Sequence, residues 1–137
     1  MLSDWTERNR DVLILVARVL LMTLFVTSGW SKLMSFTGTA GYMASLGVPL
    51  PEVATAIAIV MEFFVALALI LGIYTRPLAL LMVLFTLGTA LLGHHFWTME
   101  GAARAMNQIN FYKNLSIMGG LLLLAVTGAG KIAITRK

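Results

Sequence analysis

The stretch AIVMEFFVALAL, residues 58–69, sets one ionisable side chain, Glu62, inside an otherwise unbroken apolar run. A run this apolar belongs in a bilayer, which is where a carboxylate is most costly. The rest of the chain supports that setting. Of 137 residues, 59% are hydrophobic and 12% charged, about half the charged share of soluble domains. Mean hydropathy is +0.89, more apolar surface than a soluble core of this length encloses. Four apolar stretches stand out, at about 12–31, 52–73, 77–93 and 109–128. Each is long enough, at about 1.5 Å per residue, to cross a hydrocarbon core of about 30 Å. Lipid does not tolerate bare backbone and period-two alternation is absent, so the spans read as helices rather than barrel strands. The expectation is an all-α polytopic membrane protein. A single domain over residues 1–137 would form an antiparallel four-helix bundle with short connections.

The net charge of +4 would suggest nucleic acid in a soluble chain. Here the basic residues gather at the ends of the apolar runs, so anionic headgroups are the expected partner and nucleic acid is not. Four spans put both termini on one side, together with Arg8, Arg10, Arg76, Lys131, Arg136 and Lys137. The other side holds Lys32 and Arg104, with Lys113 near the mouth of the fourth span. The positive-inside rule then places both termini in the cytoplasm. Trp5 and Tyr74 fall near one interface and Trp30, Trp97 and Tyr112 near the other, as an aromatic belt requires. The first run carries Arg18 and ends in VTSGWSKL rather than a small-residue cleavage site, so no cleaved signal peptide is expected.

Between the spans, MLSDWTERNRD reads as a short interfacial helix with Ser3 as its N-cap. YTRP (74–77) reads as a tight turn, with Pro77 opening the next helix. Residues 34–51 suggest an amphipathic half-turn or re-entrant piece, and residues 94–108 a polar lid or docking loop.

Polar residues at membrane depth fall in stripes. Arg18, Met22, Phe25, Gly29 and Lys32 share one face of the first span, with Gly29 permitting close helix approach. Ala54, Ala58, Glu62 and Ala66 recur every fourth residue, a small-residue track beside the carboxylate. In the fourth span Asn110, Lys113 and Asn114 share a face, and Gly119–Gly120 reads as a close-packing pair. Counted from the span ends, Arg18 lies roughly 9 Å and Glu62 roughly 15 Å from the same boundary, within reach of an arginine. An Arg18–Glu62 contact is therefore expected, with Lys32 and Lys113 above it. Such a pair can serve only to fix helix register. The surplus of cations and amides around it, including His94 and His95, points instead to an anionic or carbonyl-bearing ligand.

No catalytic residues and no metal are expected. His94 and His95 point about 100° apart on a helix and cannot share one metal from regular geometry. The nine methionines show no clustered pattern and read as packing filler. With no cysteine, disulfide exchange and Cys-ligated clusters are excluded.

With these residues in place the chain resembles the DoxX family of small bacterial inner-membrane proteins. The likeness runs through ARVLLMTLFVTSGWSKL, PEVATAIAIVMEFFVALALILGIYTRPLAL, GHHFW and NFYKNLSIMGGLLLLAVTGAG, nearly the whole chain. The resemblance implies a four-helix inner-membrane protein. It also implies a link to quinone-dependent oxidoreductases, oxidative-stress complexes or membrane chaperoning. The leading expectation is an accessory or binding subunit, in a homo-oligomer or larger complex. It would hold a quinone or phospholipid at the Arg18, Lys32, Glu62 and Lys113 cluster. A proton- or ion-coupled transporter using Glu62, and a purely structural or chaperone subunit, remain the alternatives.

Overall fold

The computed structural model describes residues 1–135; Arg136 and Lys137, expected on the side of the termini, lie outside them. Every regular element among the described residues is helical. A short α1 (Leu2–Arg8) leads into α2 (Arg10–Met34), followed by α3 (Phe36–Ser45). The second span combines α4 (Pro51–Ile59), a π-helical turn (Val60–Val65) and α5 (Ala66–Leu71). Then come α6 (Thr75–Gly93), a 3₁₀ turn (Phe96–Thr98) and α7 (Gly101–Thr127). Four of these segments are long and apolar enough to cross a membrane: 10–34, 51–71, 75–98 and 101–127. The polytopic four-helix bundle read from the sequence is thus the observed architecture.

Local chemistry explains most boundaries. Pro51 opens α4 at a position where its missing N–H costs nothing. Gly72 closes α5 in the left-handed conformation, φ 75°. A Cβ there would run into Ala133, so the position requires glycine twice over. Three expectations are corrected. Ser3 lies inside α1 and makes no capping bond; Met1 is the N-cap residue. Of the two readings of residues 34–51, a half-turn or a re-entrant piece, the half-turn is replaced by a ten-residue helix. Its backbone groups pair within the helix. The polar 94–108 segment is largely not a loop, because α7 begins at Gly101. GAARAMNQ is rich in good helix formers, and propensity extends the helix where hydropathy does not.

The helices associate in two antiparallel pairs. α6 and α7 pack along their length, and α2 lies against the α4–α5 span. The pairs meet over a core of Met22, Met61, Leu69, Met82 and Leu121, the methionines filling irregular space as expected. That core occupies the middle of the bundle and the end that carries the termini. Towards the opposite end, here called the far end, the pairs separate, and α3 packs onto α4. The separation leaves a cavity.

Candidate functional site

The cavity has a volume of about 820 Å³ and is open rather than enclosed. Apolar walls come from Leu24, Phe25, Phe85, Leu92 and Ile117. Its polar positions include Lys32, Glu62, His94, Asn110, Lys113 and Asn114. Six side chains singled out in the sequence therefore share one space. Arg18 and His95 do not.

The expected Arg18–Glu62 contact is absent. Glu62 Oε1 instead accepts from Lys32 Nζ at 2.9 Å, and Lys32 also donates to Ser28 Oγ at 2.7 Å. Side-chain direction is the reason. In a helix every Cα–Cβ bond leans towards the N-terminus. Arg18 and Lys32, both on α2, therefore lean towards the termini end. Glu62 belongs to an antiparallel span and leans towards the far end. Lys32 and Glu62 converge, while Arg18 and Glu62 diverge.

Two backbone features bring the pair together. The π turn surrounds Glu62, and such turns carry an extra residue within an otherwise α-helical span. Met61 and Glu62 are both buried as a result, one in the core and one at the cavity wall. Opposite lies Gly29, where a Cβ would stand 2.7 Å from the Glu62 carbonyl carbon and the Phe63 nitrogen. That close approach sets Lys32, one turn on, beside the carboxylate. Ala58 and Ala66 are buried on the same span, 3% and 0% exposed, as a small-residue track should be. The other glycine pair is different. A Cβ at Gly119 would meet nothing within 4 Å, and at Gly120 only the Leu21 side chain at ordinary distance. The close packing expected there does not occur.

Arg18 is 1% exposed and serves the other end of the molecule. Its Nη1 donates to the carbonyls of Ala129 (2.6 Å) and Ile132 (2.8 Å), and its Nη2 to that of Ile70 (2.6 Å). Ile70 lies in the last turn of α5, whose carbonyls have no helical partner. The residues after α7 fold back across the bundle and are held there. Ile134 and Thr135 donate backbone N–H groups to Leu71 and Gly72, and Lys131 N donates to Asp11 Oδ1 at 2.9 Å. Arg76 caps α7 through the Val126 carbonyl at 2.7 Å.

On the cavity's α6–α7 side, Asn114 Nδ2 donates to Thr89 Oγ1 (3.1 Å), which donates to the Thr86 carbonyl (2.9 Å). His94 Nδ1 meets Asn107 Oδ1 at 2.9 Å, while Asn107 Nδ2 donates to Ala103 O. With its amide oriented that way, Asn107 accepts from a protonated Nδ1 and leaves Nε2 free. Asn107, Thr89 and Ser28 are functional candidates that sequence reasoning misses. Asn107 carries a signal that could have found it, since it continues the Asn110–Asn114 stripe by one turn. Lys113 Nζ contacts Asn110 Oδ1 at 3.1 Å. His95 faces Trp97 (6.3 Å between rings) in an aromatic cluster with Phe96, Phe111 and Tyr112, and Arg104 lies over the Phe96 ring. No cluster of three or more His, Asp or Glu suited to a metal occurs among the described residues.

A small helical bundle with an intramembrane ion pair on the wall of a cavity defines a class: polytopic membrane proteins with buried polar groups. The chain belongs to the DoxX family, whose profile matches residues 13–95, from α2 to the end of α6. It is 52% identical over 128 residues to the inner membrane protein YphA of Escherichia coli, covering 93% of this chain and 91% of the relative. It is 44% identical over 133 residues to the inner membrane protein YqjF of the same organism, covering 95% of each. A more distant likeness, 25% over 137 residues, is to the ER-derived vesicles protein ERV29 of Saccharomyces cerevisiae; it takes in 99% of this chain and 37% of that one. No solved structure matches. The chain is a multi-pass inner-membrane protein of the DoxX family.

Proposed function

We propose that this protein is a binding subunit of the inner membrane, holding an amphipathic ligand, a quinone or a lipid, in the far-end cavity. The observation that carries the reading is the cavity itself. Its volume of about 820 Å³ falls in the range of roughly 300–1,000 Å³ typical of small-molecule sites. Apolar walls with a few convergent polar groups are what an amphiphile needs. The Lys32–Glu62 pair keeps a spare N–H on the amine and a spare oxygen on the carboxylate, so it can both donate to and accept from a ligand head. A transport cycle around Glu62 would require the termini end to open as well. There Arg18 and the folded-back chain hold the helices together, which favours binding over conduction. The protein acts as an accessory component, with a second copy or another membrane subunit as its partner.

Organic extraction of the purified protein, followed by mass spectrometry, tests this. About one quinone or lipid per chain is expected if this cavity is the site; an empty protein would overturn the reading. The basic termini end faces the cytoplasm in this proposal. The chain has no cysteine, so single Ser3→Cys and Thr98→Cys variants can be labelled with an impermeant maleimide in intact spheroplasts. Thr98→Cys should label directly, and Ser3→Cys only after lysis.

A further inference from the structure

We propose that the ligand carries an oxyanion head on an apolar chain, and that Lys113 recognises that head. This rests on the binding function proposed above and goes further by naming the ligand's charge.

The formal charges on the cavity wall are Lys32, Glu62 and Lys113. Lys32 and Glu62 neutralise each other at 2.9 Å. Lys113 takes part in none of the ion pairs among the described residues, and its one polar contact is the neutral Asn110 amide oxygen. The wall therefore carries one uncompensated positive charge. A lysine near a helix end often only reaches past lipid to the interface. Lys113 is placed otherwise: it shares the stripe Asn110, Lys113, Asn114, Ile117, all of which line the cavity.

The surroundings suit an oxyanion. Asn110 gives its oxygen to Lys113, which leaves its Nδ2 amide as a donor beside the amine. Ser31, Ser35 and Thr39 bring hydroxyls to the same cavity from α2, α3 and the residue between them. A neutral head would leave the Lys113 charge without a partner, while a carboxylate or phosphate forms a charge-assisted hydrogen bond with it. The apolar side chains deeper in the cavity take the acyl chain.

The test is competitive native mass spectrometry on the full-length, detergent-purified protein with three probes: oleate, phosphatidylglycerol and oleyl alcohol. At least one of the anionic probes should bind about tenfold or more tightly than the alcohol, the size of effect expected from a charge-assisted bond. Oleate above phosphatidylglycerol identifies a free carboxylate as the head; the reverse identifies a lipid phosphate. Lys113→Gln should abolish the preference without reducing oleyl alcohol binding, and Lys113→Arg should keep it. Lys113 is exposed, so the melting temperature of Lys113→Gln should stay at the wild-type value and serves as the folding control. Equal binding of all three probes, unaffected by Lys113→Gln, would overturn the anion assignment and leave the amphiphile site standing. Failure of every probe to bind would overturn the anion assignment, while the binding function itself stands or falls on the extraction experiment above.

Discussion

Two cations on one face of α2, about four helical turns apart, meet opposite fates. Arg18 is sealed at the termini end, its two Nη groups donating to three backbone carbonyls. Lys32 is 23% exposed in its side chain and faces an open cavity across a carboxylate. The first arrangement spends its charge on main-chain carbonyls in a closed setting, with Nε buried and without a hydrogen-bond partner, and lies outside the cavity. The second keeps hydrogen-bonding capacity in hand. A charge buried in a membrane protein is therefore not in itself a sign of a site; what matters is whether it borders a space that a ligand can enter.

The comparison can be broken first at the sealed end. Arg18→Ala removes three hydrogen bonds from a charged donor, each worth about 1.5–3 kcal/mol, and leaves carbonyls without partners. It should produce the largest drop in melting temperature in detergent, and residues after α7 should become sensitive to protease. A wild-type melting profile would refute the clamp. Gly29→Ala comes next. It should cost about 1–3 kcal/mol, because the added carbon overlaps the Glu62–Phe63 backbone, and thermal unfolding checks it.

At the open end the effects on stability should be smaller. Glu62→Gln leaves Lys32 without its counter-charge. Loss of one partner costs about 3–5 kcal/mol in a fully buried pair, and the open cavity should reduce that to about half. The double variant Lys32→Met/Glu62→Gln should recover most of the loss, since a neutral replacement of both partners is often near neutral. If the double variant is as unstable as the single one, the pair is a register pin rather than a site. Smallest is Asp11→Ala, which removes one bond to the Lys131 N–H from a partly exposed carboxylate and should cost about 1 kcal/mol or less.

Much of this arrangement is legible in the amino-acid sequence. Lipid imposes helices and lengths, so the spans and the inward stripes of α2 and α7 can be read directly. The Arg18–Glu62 pairing fails because depth counted along Cα positions ignores that a helical side chain leans a turn towards its own N-terminus. That tilt carries Lys32 to Glu62 and Arg18 away from it. The true partners of Arg18 are main-chain carbonyls, which every residue has and no sequence pattern marks. The early start of α7 is hidden for a related reason: GAARAMNQ is polar, and hydropathy equates polarity with loop even where alanine, arginine and glutamine favour helix.

The central claim is that the far-end cavity holds an amphiphile, and Gly88 offers the most direct test. Gly88 lines the cavity, and a Cβ added there meets nothing within 4 Å, so Gly88→Phe can place a ring in that space. Native mass spectrometry of wild type and variant, released from the same detergent, should find a bound amphiphile on the wild type and much less on Gly88→Phe, with both proteins folded by thermal melting. An empty wild type, or equal occupancy of both proteins, would contradict the account.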